Sequence, residues 1–457
     1  MERYTLLEIA NATGGKLFGE NLSINSVTTD SNKGGEGCIF IAIKGERFDG
    51  NDFAEAFLKK GSAVITSKNI AVPQGKAVIF VNNTRTALYD FARHHLKKHP
   101  VPVTAVTGSV GKTSTKDLIA LALSAKFNTL KTHGNFNNDV GVPLTIFNLT
   151  AAHQAAVLEM GMNSPGEIRL LSNIAPPTAA VITNIATAHI GKLGSKENIL
   201  RAKLEVLENL KPDGVAILNA DDESLFSLKG NIPHTSIYYG INNPSADILA
   251  YDVDLQPNKS AFKVKIGENP FNFEINQPGE HFVYNALAAI STGVYYNIEP
   301  SLIAKSIASF TSEGLRQNIS EICGVTIIED CYNASAASMR AALGVLAVKG
   351  AKGRTIAVLG DVLEQGAFAE SEHRQIGDQV AHFCIDKLIT VGDNAKFIAD
   401  QARIKGVLDI KSFDDNLQAE NYLYSQAAPG DTILFKASRG MKLEEISQNL
   451  KKHLHCK

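Results

Sequence analysis

The feature that most constrains the fold of this chain is a glycine-rich turn between an apolar segment and a helical pattern. Residues 103–114 read VTAVTGSVGKTS, so a buried type of strand leads into the turn and a helix follows it. Glycines there let backbone N–H groups surround phosphate oxygens, the helix N-terminus and a lysine add positive charge, and a hydroxyl can bind Mg²⁺. The sequence therefore predicts a polyphosphate-binding loop formed by Gly108, Ser109, Val110, Gly111, Lys112, Thr113 and Ser114.

This loop indicates a nucleotide, but it does not by itself identify the base or the reaction. Val106 stands where the eight-residue form of the motif has its first glycine, so only the shorter form matches. GTPases usually carry Asn-Lys-x-Asp for guanine, and the two Asn-Lys pairs of this chain have Gly35 and Ala261 where the aspartate should be. Guanine is therefore disfavoured.

The overall charge and the cysteine content exclude several classes of protein. Lys and Arg number 45 against 47 Asp and Glu, so no broad field attracts the molecule to nucleic acid or to an anionic membrane. Five cysteines without CxxC spacing predict neither a disulfide framework nor a zinc site. No apolar run reaches the roughly 18 residues of a membrane span, and the N-terminus lacks an apolar signal core. We expect a soluble cytoplasmic monomer that neither enters a membrane nor binds nucleic acid.

The strand and helix patterns divide the chain into three α/β units. At roughly 100–200 residues per domain, a chain of 457 residues has two to four domains. Pro100 and Pro102 precede an apolar strand and mark one boundary, because proline cannot donate to a central sheet ladder. We predict a small N-terminal α/β domain (1–100), a central parallel-sheet ATPase domain with the phosphate loop (101–312) and a C-terminal Rossmann-like α/β domain (313–457).

Two polar residues follow apolar strands of the central unit. Glu159 comes directly after residues 155–158, and His189 lies beyond residues 179–182. Open α/β sheets bind ligands at the carboxyl edge of their strands, where both side chains would lie. Glutamate is a hard oxygen donor suited to Mg²⁺, whereas imidazole is a less usual ligand for that ion. We predict that Glu159 and His189 join Thr113 as metal ligands, although a loop histidine taken singly is more often a capping or surface residue.

The helical pattern over residues 195–210 places Lys203 in the middle of an apolar stripe. The stripe consists of Ile199, Leu200, Val206, Leu207 and Leu210. One explanation is that the methylene chain lies in the core while the ammonium reaches solvent. The other is that burial lowers the pKa of Lys203 and leaves a neutral amine. Such an amine can take up CO₂, and the carbamate would offer oxygens to a second metal ion.

Further motifs follow one another in order along nearly the whole chain. They are TTDS at 28–31, KGERFDG at 44–50, GNFNNDVGVP at 134–143, AKLE at 202–205, PGEH at 278–281, DCYNA at 330–334, GDVLE at 360–364 and KASRGM at 436–441. Together with the phosphate loop, this set resembles the Mur ligase family. Two positions depart from the family pattern, since Asn32 replaces the usual arginine and Ala336 stands where a proline commonly follows.

The resemblance implies roles for individual residues. The catalytic set would be Lys112, Glu159, His189 and Lys203, with Lys112 on the ATP phosphates and Lys203 carbamylated. Two Mg²⁺ ions would be held by Thr113, Glu159, His189 and the modified Lys203. ATP would also meet Asn137, Asn138, Asn285, Arg316 and Asp330. The UDP-sugar would lie near Ser31, Lys44, Gly45 and Arg47, and the incoming dipeptide or phosphate near Asn333, Lys436, Ser438 and Arg439.

The last three motifs imply one reaction within the family. They are similar to those of ligases that add D-alanyl-D-alanine to UDP-N-acetylmuramoyl-tripeptide through an acyl phosphate, in peptidoglycan precursor synthesis. Ligases that add the third residue usually read Asp-Tyr-Ala-His where this chain has DCYN at 330–333. The alternatives are a family member that adds a single amino acid, a kinase for a small molecule, and a nucleotide-dependent binding protein without turnover. The sequence leaves open whether the third peptide residue is lysine or another diamino acid.

Overall fold

The first part of the chain forms a five-stranded sheet beside a short two-stranded ribbon. A computed structural model describes residues 1–188, 190–312 and 314–455. The elements up to residue 98 are β1 (Tyr4–Thr5), α1 (Leu6–Thr13), β2 (Lys16–Gly19), β3 (Ser23–Ile24), β4 (Ser26–Thr28), β5 (Cys38–Ile41), α2 (Ala54–Leu58), β6 (Ala63–Thr66), β7 (Ala77–Phe80) and α3 (Thr84–Lys98). The strand order is β2-β7-β6-β5-β4, in which only β2 is antiparallel to its neighbour, and β1 pairs with β3.

The middle part forms a nine-stranded sheet with the order β16-β15-β14-β13-β12-β11-β8-β10-β9. Its elements are β8 (Val103–Thr107), α4 (Lys112–Ser124), β9 (Thr129–Lys131), α5 (Gly141–Ile146), β10 (Ala155–Glu159), α6 (Glu167–Ile174), β11 (Ala179–Ile182), α7 (Ile190–Leu193), α8 (Lys196–Leu204), β12 (Val215–Asn219), α9 (Glu223–Phe226), β13 (Thr235–Gly240), β14 (Ile248–Leu255), β15 (Ser260–Ile266), β16 (Asn269–Ile275), α10 (Glu280–Tyr295) and α11 (Pro300–Ile307). Strands β8 to β14 pair in parallel, whereas β15 and β16 continue the sheet as antiparallel strands.

The last part forms a six-stranded sheet with the order β17-β18-β22-β19-β20-β21. Its elements are β17 (Asn318–Ile322), β18 (Val325–Glu329), α12 (Ala336–Lys349), β19 (Thr355–Gly360), α13 (Ala369–His382), β20 (Lys387–Val391), α14 (Ala395–Ile404), β21 (Asp409–Phe413), α15 (Asn416–Gln426), β22 (Thr432–Lys436) and α16 (Glu444–His455). Only the edge strand β17 is antiparallel to its neighbour. The predicted α/β class with parallel sheets is confirmed.

The central strands of the middle sheet are buried on both faces. Along β10, Ala155 and Val157 pack into one apolar cluster with α4 and α10, while Ala156 and Leu158 pack into another with α5 and α6. Such strands read as continuous apolar runs because helices cover both sides of a parallel sheet. With both faces covered, a ligand is expected at the carboxyl ends of these strands, as in other open α/β sheets. None of the helices in the described part of the chain is long and apolar enough to cross a bilayer.

The helix predicted over residues 195–210 is shorter than expected. Ser195 caps α8, which begins at Lys196 and ends at Leu204. A 3₁₀ turn follows over Glu205–Leu207, and the backbone N–H groups of Glu208 and Leu210 bond three residues back instead of four. The carboxylate of Glu205 accepts bonds from the backbone N–H groups of Gly166 and Arg169 at the start of α6. The apolar stripe thus continues on a tighter 3₁₀ turn, whose Glu205 also binds the start of α6.

A buried histidine joins the first part of the chain to the middle part. His95 on α3 is fully buried, and its Nε2 lies 3.0 Å from the Leu149 carbonyl oxygen. Its Nδ1 lies 2.8 Å from the Tyr4 hydroxyl. Since a carbonyl only accepts, Nε2 carries the proton and Nδ1 accepts from the hydroxyl. Burial lowers the pKa of His95 to about 4 against the opposing effect of the Leu149 bond.

Acidification should therefore destabilise this junction. In the unfolded chain His95 binds a proton near pH 6.5, whereas in the folded chain its pKa is about 4. The contribution of His95 to the free energy of unfolding is fully present above about pH 6.5. It falls by roughly 3 kcal/mol as the pH is lowered to about 4. Urea denaturation midpoints of the wild type and His95→Gln, measured between pH 7.5 and 4.5, should converge as the pH falls. A difference that is independent of pH would refute the prediction.

Candidate active site

The phosphate loop lies at the carboxyl end of β8, beside the centre of the middle sheet. Gly108 has φ +145° and Gly111 has φ +85°, conformations that favour glycine. Lys112 is the first residue of α4, and its Nζ donates to the carbonyl oxygens of Gly108 at 2.8 Å and Ser109 at 3.3 Å. Strand, turn, lysine and helix therefore have the arrangement predicted from residues 103–114.

The segment after β11 supports this loop, and sequence reasoning missed it. Thr183 Oγ1 donates to the Val110 carbonyl oxygen at 2.6 Å, and Asn184 bonds both the N–H and the carbonyl of Val110. Ser109 Oγ donates to the Ala186 carbonyl oxygen at 2.9 Å. The signal was a run of polar residues directly after a buried strand, from which only His189 was selected. His189 itself lies outside the described residues.

Glu159 faces the start of α4 from the carboxyl end of β10. Its carboxylate is buried, and it accepts from the Thr113 hydroxyl at 2.8 Å and from the Asn137 amide at 2.7 Å. One hard cation can contact both the hydroxyl and the carboxylate at such a separation, and these oxygen donors suit Mg²⁺. Within the described residues, no group of three or more His, Cys, Asp and Glu side chains could hold a metal ion. The donor set therefore fits an ion that nucleotide phosphates help to hold.

Two further asparagines are predicted to meet ATP. Asn138 Oδ1 accepts from the N–H of Gly141, the first residue of α5, at 2.8 Å. Asn285 on α10 accepts from the Thr115 hydroxyl at 3.0 Å. A Cβ added to Gly111 would lie 2.9 Å from Asn285 Oδ1, which places this amide against the phosphate loop.

Lys203 on α8 is buried, with 2% of its surface exposed. Burial, and secondarily the positive charge of Lys112, lower the pKa of Lys203 well below its ordinary value. The pKa of Lys112 is also lowered by burial and by Arg316, against the opposing effect of Glu159. An ammonium in solvent, as the first explanation of the stripe requires, does not fit this burial. Lys112, Glu159, Lys203 and Arg316 therefore share one electrostatic environment.

Residues from the last part of the chain contribute to this environment through Arg316. The Arg316 guanidinium lies 3.9 Å from the centre of the Tyr332 ring. Lys436 is almost fully buried, and its Nζ donates to Asp330 Oδ2 at 2.6 Å and to the carbonyl oxygens of Asp330 and Asn333. All three N–H groups of Lys436 have acceptors in the DCYN segment, so the lysine holds both ends of this segment.

The two other residues predicted near the dipeptide lie just after β22. Ser438 Oγ accepts from the Leu363 N–H at 2.9 Å and thereby holds the loop that follows β19. Arg439 is exposed and pairs with Glu444 at 2.6 Å. Both lie on the carboxyl side of the six-stranded sheet, where open α/β sheets bind ligands.

The middle and last parts of the chain also touch beyond the loop. Thr187 donates to Glu372, which is buried. A Cβ added to Gly191 would lie 2.4 Å from the Glu364 carbonyl oxygen. At the connection between the two parts, Gln317 has φ +50° and donates to the Pro278 carbonyl oxygen at 2.8 Å.

His281 lies next to that connection. Burial, with a contribution from Lys436, lowers the pKa of His281 to about 4, and Asp330 and Gln317 oppose the shift. The charges of Asp330 in the DCYN motif and Lys436 in the KASRGM motif therefore act on the histidine of the PGEH motif. Sequence reasoning did not select it, because its neighbours are distant along the chain.

The residues predicted to meet the UDP-sugar lie on loops after β4 and β5. Ser31 is half-buried, whereas Lys44, Gly45 and Arg47 are exposed. Arg85 on α3 donates to the Lys44 carbonyl oxygen at 3.2 Å and forms an ion pair with Asp139. Asp139 follows the two asparagines beside Glu159, so Arg85 connects the loop at 44–50 to the phosphate site.

The two departures from the family pattern have different structural settings. Asn32 is exposed, and its carbonyl oxygen accepts from Lys60 Nζ at 2.8 Å. Ala336 is the first residue of α12, which Ser335 caps. Proline is common at the first position of a helix because the N–H that it lacks has no partner within the helix there. Alanine at this position is therefore compatible with the same helix start.

The sequence matches three family models. They are described as Mur ligase family, catalytic domain (residues 23–96), Mur ligase middle domain (106–293) and Mur ligase, glutamate ligase domain (316–439). The UDP-N-acetylmuramoyl-tripeptide–D-alanyl-D-alanine ligase of Bacillus subtilis is 39% identical over 98% of this chain and 99% of that protein. The chain belongs to the Mur ligase family.

Solved structures of Mur ligases have the same fold. MurF from Acinetobacter baumannii superposes with a TM-score of 0.92 at 30% identity, covering 99% of both chains. MurF ligase from Thermotoga maritima, in complex with ADP, gives a TM-score of 0.84 at 27% identity and covers 94% of this chain and 98% of that one. The predicted three-domain Mur ligase fold is confirmed.

Proposed function

We propose that this Mur ligase joins D-alanyl-D-alanine to UDP-N-acetylmuramoyl-tripeptide, with cleavage of ATP to ADP and phosphate, in peptidoglycan precursor synthesis. The observation that carries the proposal is the site at the phosphate loop, where the Thr113 hydroxyl lies 2.8 Å from the Glu159 carboxylate and the charge of Lys112 acts on the buried Lys203. It lies in a chain that resembles, over nearly its full length, relatives named for this reaction. The enzyme is an ATP-dependent carboxylate–amine ligase.

The reaction requires activation of a carboxylate, which is a poor electrophile near neutral pH. The tripeptide carboxylate attacks the γ-phosphorus of ATP, the bond to the bridging oxygen breaks, and an acyl phosphate and ADP result. The free amine of D-alanyl-D-alanine then attacks the acyl carbon, loses a proton and expels inorganic phosphate. Catalysis of such a transfer is mainly positioning and electrostatic stabilisation, which Lys112 and the N–H groups of the phosphate loop can supply.

Two Mg²⁺ ions would neutralise negative charge on the phosphates when bound. We assign one to Thr113 and Glu159, whose oxygens lie 2.8 Å apart. The other would be held by a carbamate on Lys203, formed when the neutral amine attacks CO₂ and releases a proton. His189 remains a proposed ligand. The burial that lowers the pKa of Lys203 supports the carbamate, because only an unprotonated amine forms a bond to CO₂.

The three parts of the chain would each bind one substrate. We assign the UDP-sugar to residues 1–100, through the loops that carry Ser31 and Lys44 to Arg47, and ATP to residues 101–312. Residues 313–457 would bind the dipeptide near Asn333, Ser438 and Arg439. Arg316, Asp330 and Asn285 would contact the nucleotide. We place the enzyme in the cytoplasm, since ATP and UDP-linked precursors are cytoplasmic substrates, and we expect it to act as a monomer.

Phosphate release is the direct test of this function. With ATP, Mg²⁺ and UDP-N-acetylmuramoyl-tripeptide, we expect phosphate only after D-alanyl-D-alanine is added, together with an amide product. Parallel assays with lysine or another diamino acid as third peptide residue will show which tripeptide is used. A stable phosphorylated product would indicate a kinase instead. Release with single amino acids, and none with the dipeptide, would indicate a different Mur ligase.

A further inference from the structure

A ring of contacts fixes the backbone of Glu159, and two of its residues have no assigned role. Thr132 directly follows the edge strand β9 and is fully buried. Its hydroxyl oxygen accepts from the backbone N–H of Glu159 at 3.0 Å. Its own N–H donates to the Val157 carbonyl oxygen at 3.0 Å. The threonine therefore holds the last residue of β10 just where the sheet ladder ends and the carboxylate turns toward Thr113.

Lys116 holds Thr132 from the other side. It lies on α4, one helical turn after Lys112, and only 2% of it is exposed. Its Nζ donates to the Thr132 carbonyl oxygen at 2.8 Å and pairs with Asp117 at 3.1 Å. A buried ammonium is costly, and an apolar side chain of similar size is often as stable in its place. This cost suggests a role for Lys116 other than stability.

The contacts close into a ring that contains both oxygen ligands assigned above. Thr113 and Lys116 belong to the same helix, Lys116 fixes Thr132, Thr132 fixes the Glu159 backbone, and Glu159 returns to the Thr113 hydroxyl. We propose that Thr132 and Lys116 are positioning residues that set the distance between Thr113 and the Glu159 carboxylate. The inference rests on the proposed function, in which these two side chains hold a divalent cation with ATP. Groups that hydrogen-bond a metal-ligating side chain or its backbone tune the affinity for the ion.

The experiment measures cation affinity rather than activity. Mn²⁺ is titrated into the full-length protein with a non-hydrolysable ATP analogue, and free Mn²⁺ is read by electron paramagnetic resonance. Thr132→Val keeps the shape but removes the acceptor, and we expect Mn²⁺ binding to weaken about tenfold. Thr132→Ser keeps the acceptor and should stay within about twofold of the wild type. Melting temperatures report whether each variant is folded.

Lys116→Met should weaken Mn²⁺ binding as Thr132→Val does, with little change in melting temperature. Lys131→Met is the matched control, because within the described part of the chain the Lys131 ammonium pairs with the same Asp117 at 2.7 Å but does not donate to Thr132. Wild-type Mn²⁺ affinity in Thr132→Val and Lys116→Met, or an equal loss in Lys131→Met, would overturn the inference. Glu159→Gln distinguishes failure of the cation site from failure of the positioning role. Unchanged Mn²⁺ affinity in Glu159→Gln would refute the cation site itself. Weaker Mn²⁺ binding in Glu159→Gln, with wild-type affinity in Thr132→Val and Lys116→Met, would refute only the positioning role.

Discussion

Replacing Lys203 with methionine should lower the rate of phosphate release with all three substrates by at least about a hundredfold. The side chain is buried, and burial together with the charge of Lys112 lowers the pKa of Lys203 well below its ordinary value, which favours the neutral amine that a carbamate requires. Methionine preserves the apolar part of the stripe but cannot form a carbamate. Because Lys203 does not belong to the phosphate loop, the affinity for an ATP analogue without Mg²⁺ should change little. Steady-state phosphate release and calorimetric nucleotide binding measure the two quantities separately.

Lys196→Met is the matched control for this substitution. Lys196 begins the same helix but is exposed, so its loss should leave the rate near that of the wild type. In ¹³C-labelled bicarbonate, the wild type and Lys196→Met should show a carbamate carbon resonance that Lys203→Met lacks. A Lys203→Met enzyme with the wild-type rate would contradict the proposed role, and a missing resonance in the wild type would contradict the carbamate.

Gly108→Ala should abolish most nucleotide binding. An added Cβ would lie 1.9 Å from Thr183 Oγ1, and the φ of +145° is strained for any residue with a side chain. The loop would have to move away from β11, which would spoil its array of N–H groups. We expect the affinity for ADP to fall on the order of a hundredfold. Isothermal calorimetry with ADP measures this directly.

Gly75→Ala provides the comparison, because Gly75 has φ +72° but no atom within 4 Å of an added Cβ. It imposes backbone strain far from the nucleotide and should leave ADP affinity unchanged. Adding Thr183→Ala to Gly108→Ala removes the closest clashing atom and should restore part of the affinity. ADP binding by Gly108→Ala within about threefold of the wild type would show that the loop tolerates a side chain there.

Local sequence patterns predicted the elements that carry the site. The alternation of apolar strands and helices gave the α/β class, and the position of Glu159 after a buried strand placed it at the carboxyl edge of the sheet. The apolar stripe placed Lys203 among core residues but left open whether its ammonium reaches solvent, and the helix ends earlier than expected, at Leu204. These features follow from periodicity, because a single element determines each of them.

Contacts between distant segments could not be predicted in the same way. The Lys436 and Asp330 pair joins residues 106 positions apart, and Thr132 meets Glu159 across 27 positions. Such pairs depend on the order of the strands in the sheet. Thr132 reaches Glu159 because β9 is the edge strand that pairs with β10. The threonine and lysine of the ring therefore look like ordinary strand and helix residues in the sequence. The family resemblance supplied roles for the motif residues but not for these supporting ones.

The contact at Gly191 has a consequence for coupling between the two halves of the reaction. The clearance between this residue and the Glu364 carbonyl is smaller than a methyl group, so any larger side chain acts as a wedge. A wedge there would hold residues 314–455, the part that we propose binds the dipeptide, away from the mixed anhydride and let water reach it. ATP would then be cleaved without forming a peptide bond. The yield of amide per ATP therefore depends on the absence of a side chain at Gly191.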